Sequence, residues 1–577
     1  MKAVGVALVL LLADSGAASA FPVLPGTAEQ DAAPQGMELP SSDRQDLMHQ
    51  LQLVNGLAAP VGGGWTIVPR IDLQEGLTDN VLQQHSPRRF DLGTFVAPGI
   101  GLAGDTPRIK ATFDFAPILS VYARTGSLNQ LTEQMNGLAS VAVSPELAYL
   151  DLRAVSGVRS QYGGFGGLGT LGSATDSTLA IASGSLSSLP GNTLVLTKEN
   201  SVQTSSFGVS PYLVHRFGDW GSGRIGYSLD VSRSDTLSGF AAAPFPSGGV
   251  NGQSLVSNEE TAHYQTGEIL SRLTDSVDID LLQRQARTDS GFRLANGLPA
   301  SSGIADYSTR TVVFNTVTYA LHRDVALFAA GGHEDISYSG GTLASIHDLT
   351  WKLGTTLTPN PDSQVTVSYG HQNGFNSLSV EGHYALTART MLTASYGSDL
   401  GTQLETVQTQ LNLAAIGSPG SLIDARSNTT VFGNVNLLPV QEGVFRTTTL
   451  ILGSRTTLDR DIISFSFLTA EQSSGLAGVQ SAQSKLRATT AGGSWIHQMR
   501  PDMTISTGLS LTWQYPTGYG VGGPGRNTSI VASVGWQTKL SETLTAGVRY
   551  TLLNRQAQDT SYTVFQNLLI FGVTKTF

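Results

Sequence analysis

Apolar and polar residues alternate along most of this chain with a period of two. In "PDMTISTGLSLTW", residues 501–513, Met503, Ile505, Leu509, Leu511 and Trp513 share one parity. Thr504, Ser506, Gly508, Ser510 and Thr512 share the other. "RIGYSLDVS" sets Ile225, Tyr227, Leu229 and Val231 against Arg224, Gly226, Ser228 and Asp230, and "TLTAGVRYTLL" sets Leu544, Ala546, Val548, Tyr550 and Leu552 against Thr545, Gly547, Arg549 and Thr551. "SIVASVGWQTKL" repeats the pattern with Ile530, Ala532, Val534 and Trp536. Successive side chains of a strand point to opposite faces, so each segment predicts a strand with one apolar and one small, polar face. The signal begins near Trp65 and continues to Phe577.

The connections decide what the apolar faces meet. Short turns recur at Asp105-Thr106-Pro107, Ser144-Pro145-Glu146, Gly218-Asp219-Trp220, Thr274-Asp275, His322-Arg323-Asp324, Asn360-Pro361-Asp362, Thr387-Ala388-Arg389, Asp459-Arg460, Arg500-Pro501-Asp502 and Ser541-Glu542. Between them lie mostly longer links rich in Gly and Ser, the largest near 159–200, 235–260, 289–308 and 398–442. Tight turns on one side and long links on the other are the mark of an outer-membrane barrel. The segments predict an all-β, antiparallel up-and-down transmembrane barrel of about 22 strands, an even number between roughly 18 and 24, with short periplasmic turns and long external loops. Both chain ends then lie on the periplasmic side. A row of soluble β-sandwiches is the alternative, but it gives no reason for the links to sort. In hydrocarbon every backbone polar group must be paired within the protein, which a closed barrel achieves. The apolar parity is therefore expected to face lipid and the Ser/Thr/Gly parity a watery lumen. Trp513 falls at the external depth, Trp495 and Trp536 at the periplasmic one, where aromatic girdles collect.

Composition narrows this further. Charged residues are 14% of the 577, against about 25% in ordinary globular chains, and Gly is 65. The formal net charge of −10 argues against a nucleic-acid partner. Cysteine is absent, which excludes disulfides and thiolate metal sites. The first twenty residues, with Lys2, an apolar run Val4–Leu12 and Ala18-Ser19-Ala20, read as a signal peptide. Residues 21–64 read as a flexible periplasmic lead-in, with "DRQDLMHQLQLV" as one short helix, and 65–577 as the barrel. No later run of about 18 apolar residues offers a membrane helix.

Candidate chemistry is sparse. "GGFGGLGTLG", residues 163–172, lacks the Gly-Lys-Ser/Thr and helix of a phosphate cradle. His333, Glu334 and Asp335, with His347 and Asp348, are conceivable metal ligands, but alternation splits neighbours between two faces. There is no Gly-x-Ser-x-Gly elbow, and an outer-membrane enzyme is the least favoured reading. No catalytic, cofactor-binding or metal residue is assigned. Asp230, Asp278, Asp280, Arg224, Arg284, Arg549 and Lys539 are candidate lumen charges. Leu404, Val407, Leu411 and Ala414 recur at helical spacing inside the long link 398–442, either as a constriction within the lumen or as an external helix.

A family resemblance rests on short motifs. "WTIVPRIDLQEGLTDNVL", with Pro69 and Thr78-Asp79-Asn80-Val81 at its core, resembles the opening of the exosortase (PEP-CTERM)-system-associated outer-membrane β-barrel proteins. "GLASVAVSPELAYLDLRAVSGVRSQ", "GTQLETVQTQLNLAAI", "VFRTTTLILGSRTTLDRDIISFSFLTAEQ" and "YTVFQNLLIFGVTKTF" are similar to later parts of that family. The resemblance spans roughly 65–577 and implies a conduit or structural component linked to exopolysaccharide export, with polysaccharide-export components as partners. A general or substrate-specific porin is the alternative. The last strand, with Leu569, Phe571, Val573 and Phe577 on one parity, resembles the signal read by the barrel-assembly machinery. Outer-membrane lipid is the remaining expected partner. Loops folded into the lumen are expected to occlude it, since such wide barrels are often plugged.

Overall fold

The computed structural model describes residues 64–160, 201–236, 252–267, 272–288, 307–339, 345–412, 414–416, 422–424, 438, 444–474, 485–517 and 526–577. In chain order the strands are β1 Gly64–Thr78, β2 Asp91–Asp105, β3 Ile109–Tyr122, β4 Gln130–Ser144, β5 Ala148–Ser160, β6 Ser201–Arg216, β7 Gly221–Thr236 and β8 Gly252–Thr266. Then come β9 Leu273–Thr288, β10 Tyr307–His322, β11 Val325–Ser339, β12 Ile346–Asn360, β13 Ser363–Gln372, β14 Phe375–Thr387 and β15 Thr390–Gly401. After helix α1, Gln403–Asn412, and the small hairpin β16 Ala414–Ile416 with β17 Leu422–Asp424, the chain resumes as β18 Phe445–Thr457 and β19 Asp461–Ser474. It ends with β20 Lys485–Arg500, β21 Met503–Thr517, β22 Asn527–Ser541, β23 Leu544–Ala557 and β24 Val564–Thr576.

Among the described residues, twenty-two strands form one antiparallel sheet, all except β16 and β17. Each pairs with its sequence neighbours, β15 pairs with β18, and β1 pairs with β24, so the sheet closes on itself. Closure leaves no free edge, and the ladder satisfies the backbone.

The links sort as the turns predict. Every link after an even-numbered position in the ring is short, such as 106–108, 323–324, 361–362, 388–389 and 501–502. Those on the other rim run to 161–200, 289–306 and 402–444. Two details differ from the sequence reading. Strand β8 begins at Gly252, inside the stretch read as a link to 260, because its polar Ser254, Ser257 and Asn258 hide the alternation. The β13–β14 connection on the long-link rim is only Asn373-Gly374, both at positive φ, a tight two-residue hairpin. The proposed lead-in helix and the Gly-rich stretch 163–172 lie outside the described residues.

The outer face is apolar as expected. Ile225, Leu229, Leu509, Val534, Phe571 and Val573 all point outward and are exposed, and Trp495 and Trp536 sit outward toward the short-link rim. The inner face departs from the expectation of a uniformly polar lumen. Phe95, Ile118, Val531, Leu553, Val564, Leu568 and Ile570 pack as an inward apolar cluster on the wall from β22 through β24 to β3. In the last strand both parities are apolar, so alternation alone did not reveal the inner one.

Candidate functional site

The site is the lumen and what closes it. Helix α1 does not lie outside the barrel. It packs on the inner wall made by β5, β6, β7 and β8. Only Thr402 separates β15 from α1, yet α1 packs on β5–β8, so the helix links two stretches of the lumen wall that are far apart in the strand order. Further along the 402–444 link, Leu438 packs on the inward side chains Ile451, Leu468, Ala470, Leu486 and Ala488 of β18–β20. Helix α1 and Leu438 are therefore both inside the barrel.

The sequence explains why a helix forms there. Thr402 and Glu405 make a capping box: the Glu405 N–H donates to Thr402 Oγ1 at 3.2 Å, and the Thr402 N–H donates to Glu405 Oε2 at 3.1 Å. Leu404, Val407 and Leu411 are buried, with Gln408 on the same face, and so are Gln403 and Gln410 to one side of it. The helix ends at Asn412; Ala414, expected as its next apolar position, belongs to β16 and is also buried. Three polar ties fasten α1 to the wall, one of them Gln408 Nε2 donating to the Leu255 carbonyl of β8 at 3.5 Å. Arg284 Nη1 of β9 lies 3.3 Å from Glu405 Oε2. Ser257 Oγ of β8 donates to Gln408 Oε1 at 2.7 Å. Glu405 thus starts the helix and anchors it.

The wall beneath α1 is rich in hydroxyls. Cross-strand pairs Thr204–Ser234, at 3.0 Å, and Ser206–Ser232, at 2.8 Å, run down β6 and β7. Below them Arg153 Nη2 donates to Ser210 at 2.7 Å and Ser228 at 3.0 Å, and approaches Asp230 at 3.4 Å. Gly208 makes the room: a Cβ there would collide with Asp230 and Arg153. Lower still, Tyr149 and Tyr212 stack at 5.3 Å and Arg224 lies 4.1 Å over the Tyr212 ring.

All seven candidate lumen charges point inward by register: Arg224, Asp230, Asp278, Asp280, Arg284, Arg549 and Lys539. Asp278 pairs with His263, and Arg310 Nη2 holds Glu334 Oε1 at 3.0 Å beside Asp280 and Arg284. The trio His333, Glu334 and Asp335 is split. Glu334 is inward and fully buried, while His333 and Asp335 point outward and Asp335 pairs with His347 at 2.9 Å. Asp348 meets His371 instead, at 3.3 Å. Among the described residues no three His, Asp or Glu side chains are placed to hold a metal ion.

The motif Thr78-Asp79-Asn80-Val81 closes the barrel. The β1–β24 ladder runs from Arg70↔Thr576 to Thr78↔Leu568, shorter than the β1–β2 ladder, which spans all of both strands. At its long-link end Asp79 accepts from Asn567 N and Asn567 Nδ2, each at 2.7 Å. Asn80 Nδ2 donates to the Phe565 carbonyl at 3.0 Å, and Gln566 Nε2 donates to Thr78 Oγ1 at 3.0 Å and the Asn80 carbonyl at 3.2 Å. At the other end the Phe577 N–H donates to the Pro69 carbonyl at 3.0 Å, and Thr574 donates to buried Asp72. The resemblance singled out these residues; the sequence alone did not show that they clasp the first strand to the last. The capping box Thr402-x-x-Glu405 was a readable signal that periodicity alone passed over.

A closed antiparallel barrel with an apolar, aromatic-bearing outer belt and a polar lumen is an integral protein of the bacterial outer membrane. No protein-family model matches the chain, and no curated protein is significantly similar in sequence. Among solved structures it is similar to the FrpB iron transporter of Neisseria meningitidis, at 10% identity and TM-score 0.45 over 92% of this chain and 84% of that one. It is also similar to the ferric-catecholate import receptor Fiu of E. coli K12, at 9% identity and TM-score 0.43 over 88% and 81%. A third is the ferric enterobactin receptor PfeA of Pseudomonas aeruginosa, at 12% identity and TM-score 0.41 over 89% and 81%. At this level of similarity nothing about cargo passes from those proteins to this chain.

Proposed function

We propose that the protein is a gated outer-membrane conduit, closed at rest by helix α1, that passes a hydroxyl-rich polymer in an exopolysaccharide export system of the exosortase-linked kind. The observation that carries the gate is α1, buried inside the lumen against a hydroxyl wall and fastened by one ion pair and two hydrogen bonds. The ion pair contributes about 1.5–3 kcal/mol and each neutral hydrogen bond about 0.5–1.5 kcal/mol, enough to favour the closed state and few enough to release it. Uncovered, the wall offers paired hydroxyls, the Arg153–Asp230 pair and tyrosine rings, groups that exchange hydrogen bonds with a carbohydrate as readily as with each other. No bond is made or broken in this mechanism; the residues only line, hold and release a path. Export components at the periplasmic mouth, and the barrel-assembly machinery acting on β24 and Phe577, are the partners of this reading.

The test is flux. Purified wild-type protein in liposomes is expected to pass sugars poorly, and replacement of 403–412 by a Gly-Ser linker is expected to open it. Cells lacking the gene are expected to lose surface polysaccharide. Rapid, unselective sugar flux through the wild type would instead establish a general porin. Cleavage of phospholipid by the purified barrel would establish an enzyme.

A further inference from the structure

Among the described residues, Glu260 and His333 are polar side chains of the outer wall that lipid cannot satisfy. Glu260 of β8 points outward, opposite Tyr227 on one side and Leu281 on the other. It sits in a groove of about 660 Å3 walled by Pro211, Leu213, Ile225, Tyr227, Ile279 and Leu281. The groove lies where the β6–β7 ladder skips its pairs at Ser210 and Pro211, a residue without an N–H to give. Tyr227 Oη donates to Asn258 Oδ1 at 3.0 Å, so that hydroxyl is already engaged. Three strands on, His333 of β11 also points outward, beside its register partner Leu349, which is 74% exposed. Among the described residues neither Glu260 nor His333 has a hydrogen-bond or ion-pair partner. Both lie in mid-strand, six residues from the short-link end of β8 and eight from that of β11.

An ionisable side chain in the hydrocarbon belt is costly unless it is paired. Three strands put about 14 Å of wall between these two, so within one copy they cannot meet. We propose that they meet between copies: His333 and the Leu349 knob of one subunit enter the Glu260 groove of the next, a heterologous contact that closes into a three-membered ring. Each group supplies what the other lacks, a donor for the carboxylate and an acceptor for the imidazole. The ring size follows from the wall. Three strands of twenty-two subtend roughly 50°, close to the roughly 60° between the two faces that a subunit offers its neighbours in a trimer.

The chain has no cysteine, so single thiols can be placed cleanly. Glu260→Cys and His333→Cys subunits, co-expressed and treated in outer-membrane vesicles with a short bis-thiol cross-linker, are expected to give dimers. The double variant is expected to give species up to three copies and none larger. Val534→Cys on β22, exposed on the opposite side, is expected to remain monomeric with either partner. Monomers only from the mixed pair, cross-linking by Val534→Cys as strong as by the pair, or ladders beyond three copies would overturn the proposal. Glu260→Arg, shown folded by its heat-dependent gel shift, is expected to lose the trimer mass, and adding His333→Glu is expected to restore it.

Discussion

Asp79→Ala tests whether the barrel is held shut by its seam. In the native protein both Asp79 carboxylate oxygens receive a hydrogen from Asn567, one from the backbone and one from the side-chain amide, each at 2.7 Å. Hydrogen bonds to a charged acceptor contribute about 1.5–3 kcal/mol each, and the Asn567 N–H left behind has no alternative acceptor in the ladder. Allowing for partial access of water to the rim, the expected loss is about 2–4 kcal/mol. It falls on the shorter of β1's two ladders, so β1 should part from β24 before it parts from β2. The assay is urea unfolding in detergent micelles, read by the difference in migration between folded and heated protein. Asp79→Asn, which keeps one acceptor, should fall between wild type and Ala. Asp459→Ala is the control: it removes an Arg389 pair whose side chains are 58% and 86% exposed, and should change stability by less than about 0.5 kcal/mol. If Asp79→Ala unfolds within that same margin of the wild type, the clasp does not close the barrel.

Other outcomes follow from particular contacts. Glu405→Gln removes the charge opposite Arg284 and weakens the capping box, so single-channel recordings should show the open state gaining about tenfold or more in occupancy. Gly208→Val drives a side chain into Asp230 and Arg153, and should cost roughly 1–3 kcal/mol of unfolding free energy. Deleting Phe577 should lower the amount of barrel assembled in cells, measured by surface protease protection, while refolding into detergent stays efficient.

Alternation determined the outer face because the membrane reads one side chain at a time. Leu509, Val534 and Phe571 needed only their parity to be placed against lipid. The short turns likewise announced the sorting of the two rims, since Pro, Asp and Gly act locally. Inward charges such as Arg224 and Asp280 followed from the same parity. What alternation did not determine are the inner contacts, which join residues far apart in the chain. Asp79 meets Asn567 only because the last strand closes on the first, and Glu405 meets Arg284 only because helix α1 turns into the lumen. The buried inner cluster of Val531, Leu553 and Leu568 sits on the parity that sequence reading assigned to water. Period-two patterning reports which way a side chain points; what stands opposite it is decided by closure and by the loops that enter, and those are properties of the whole ring.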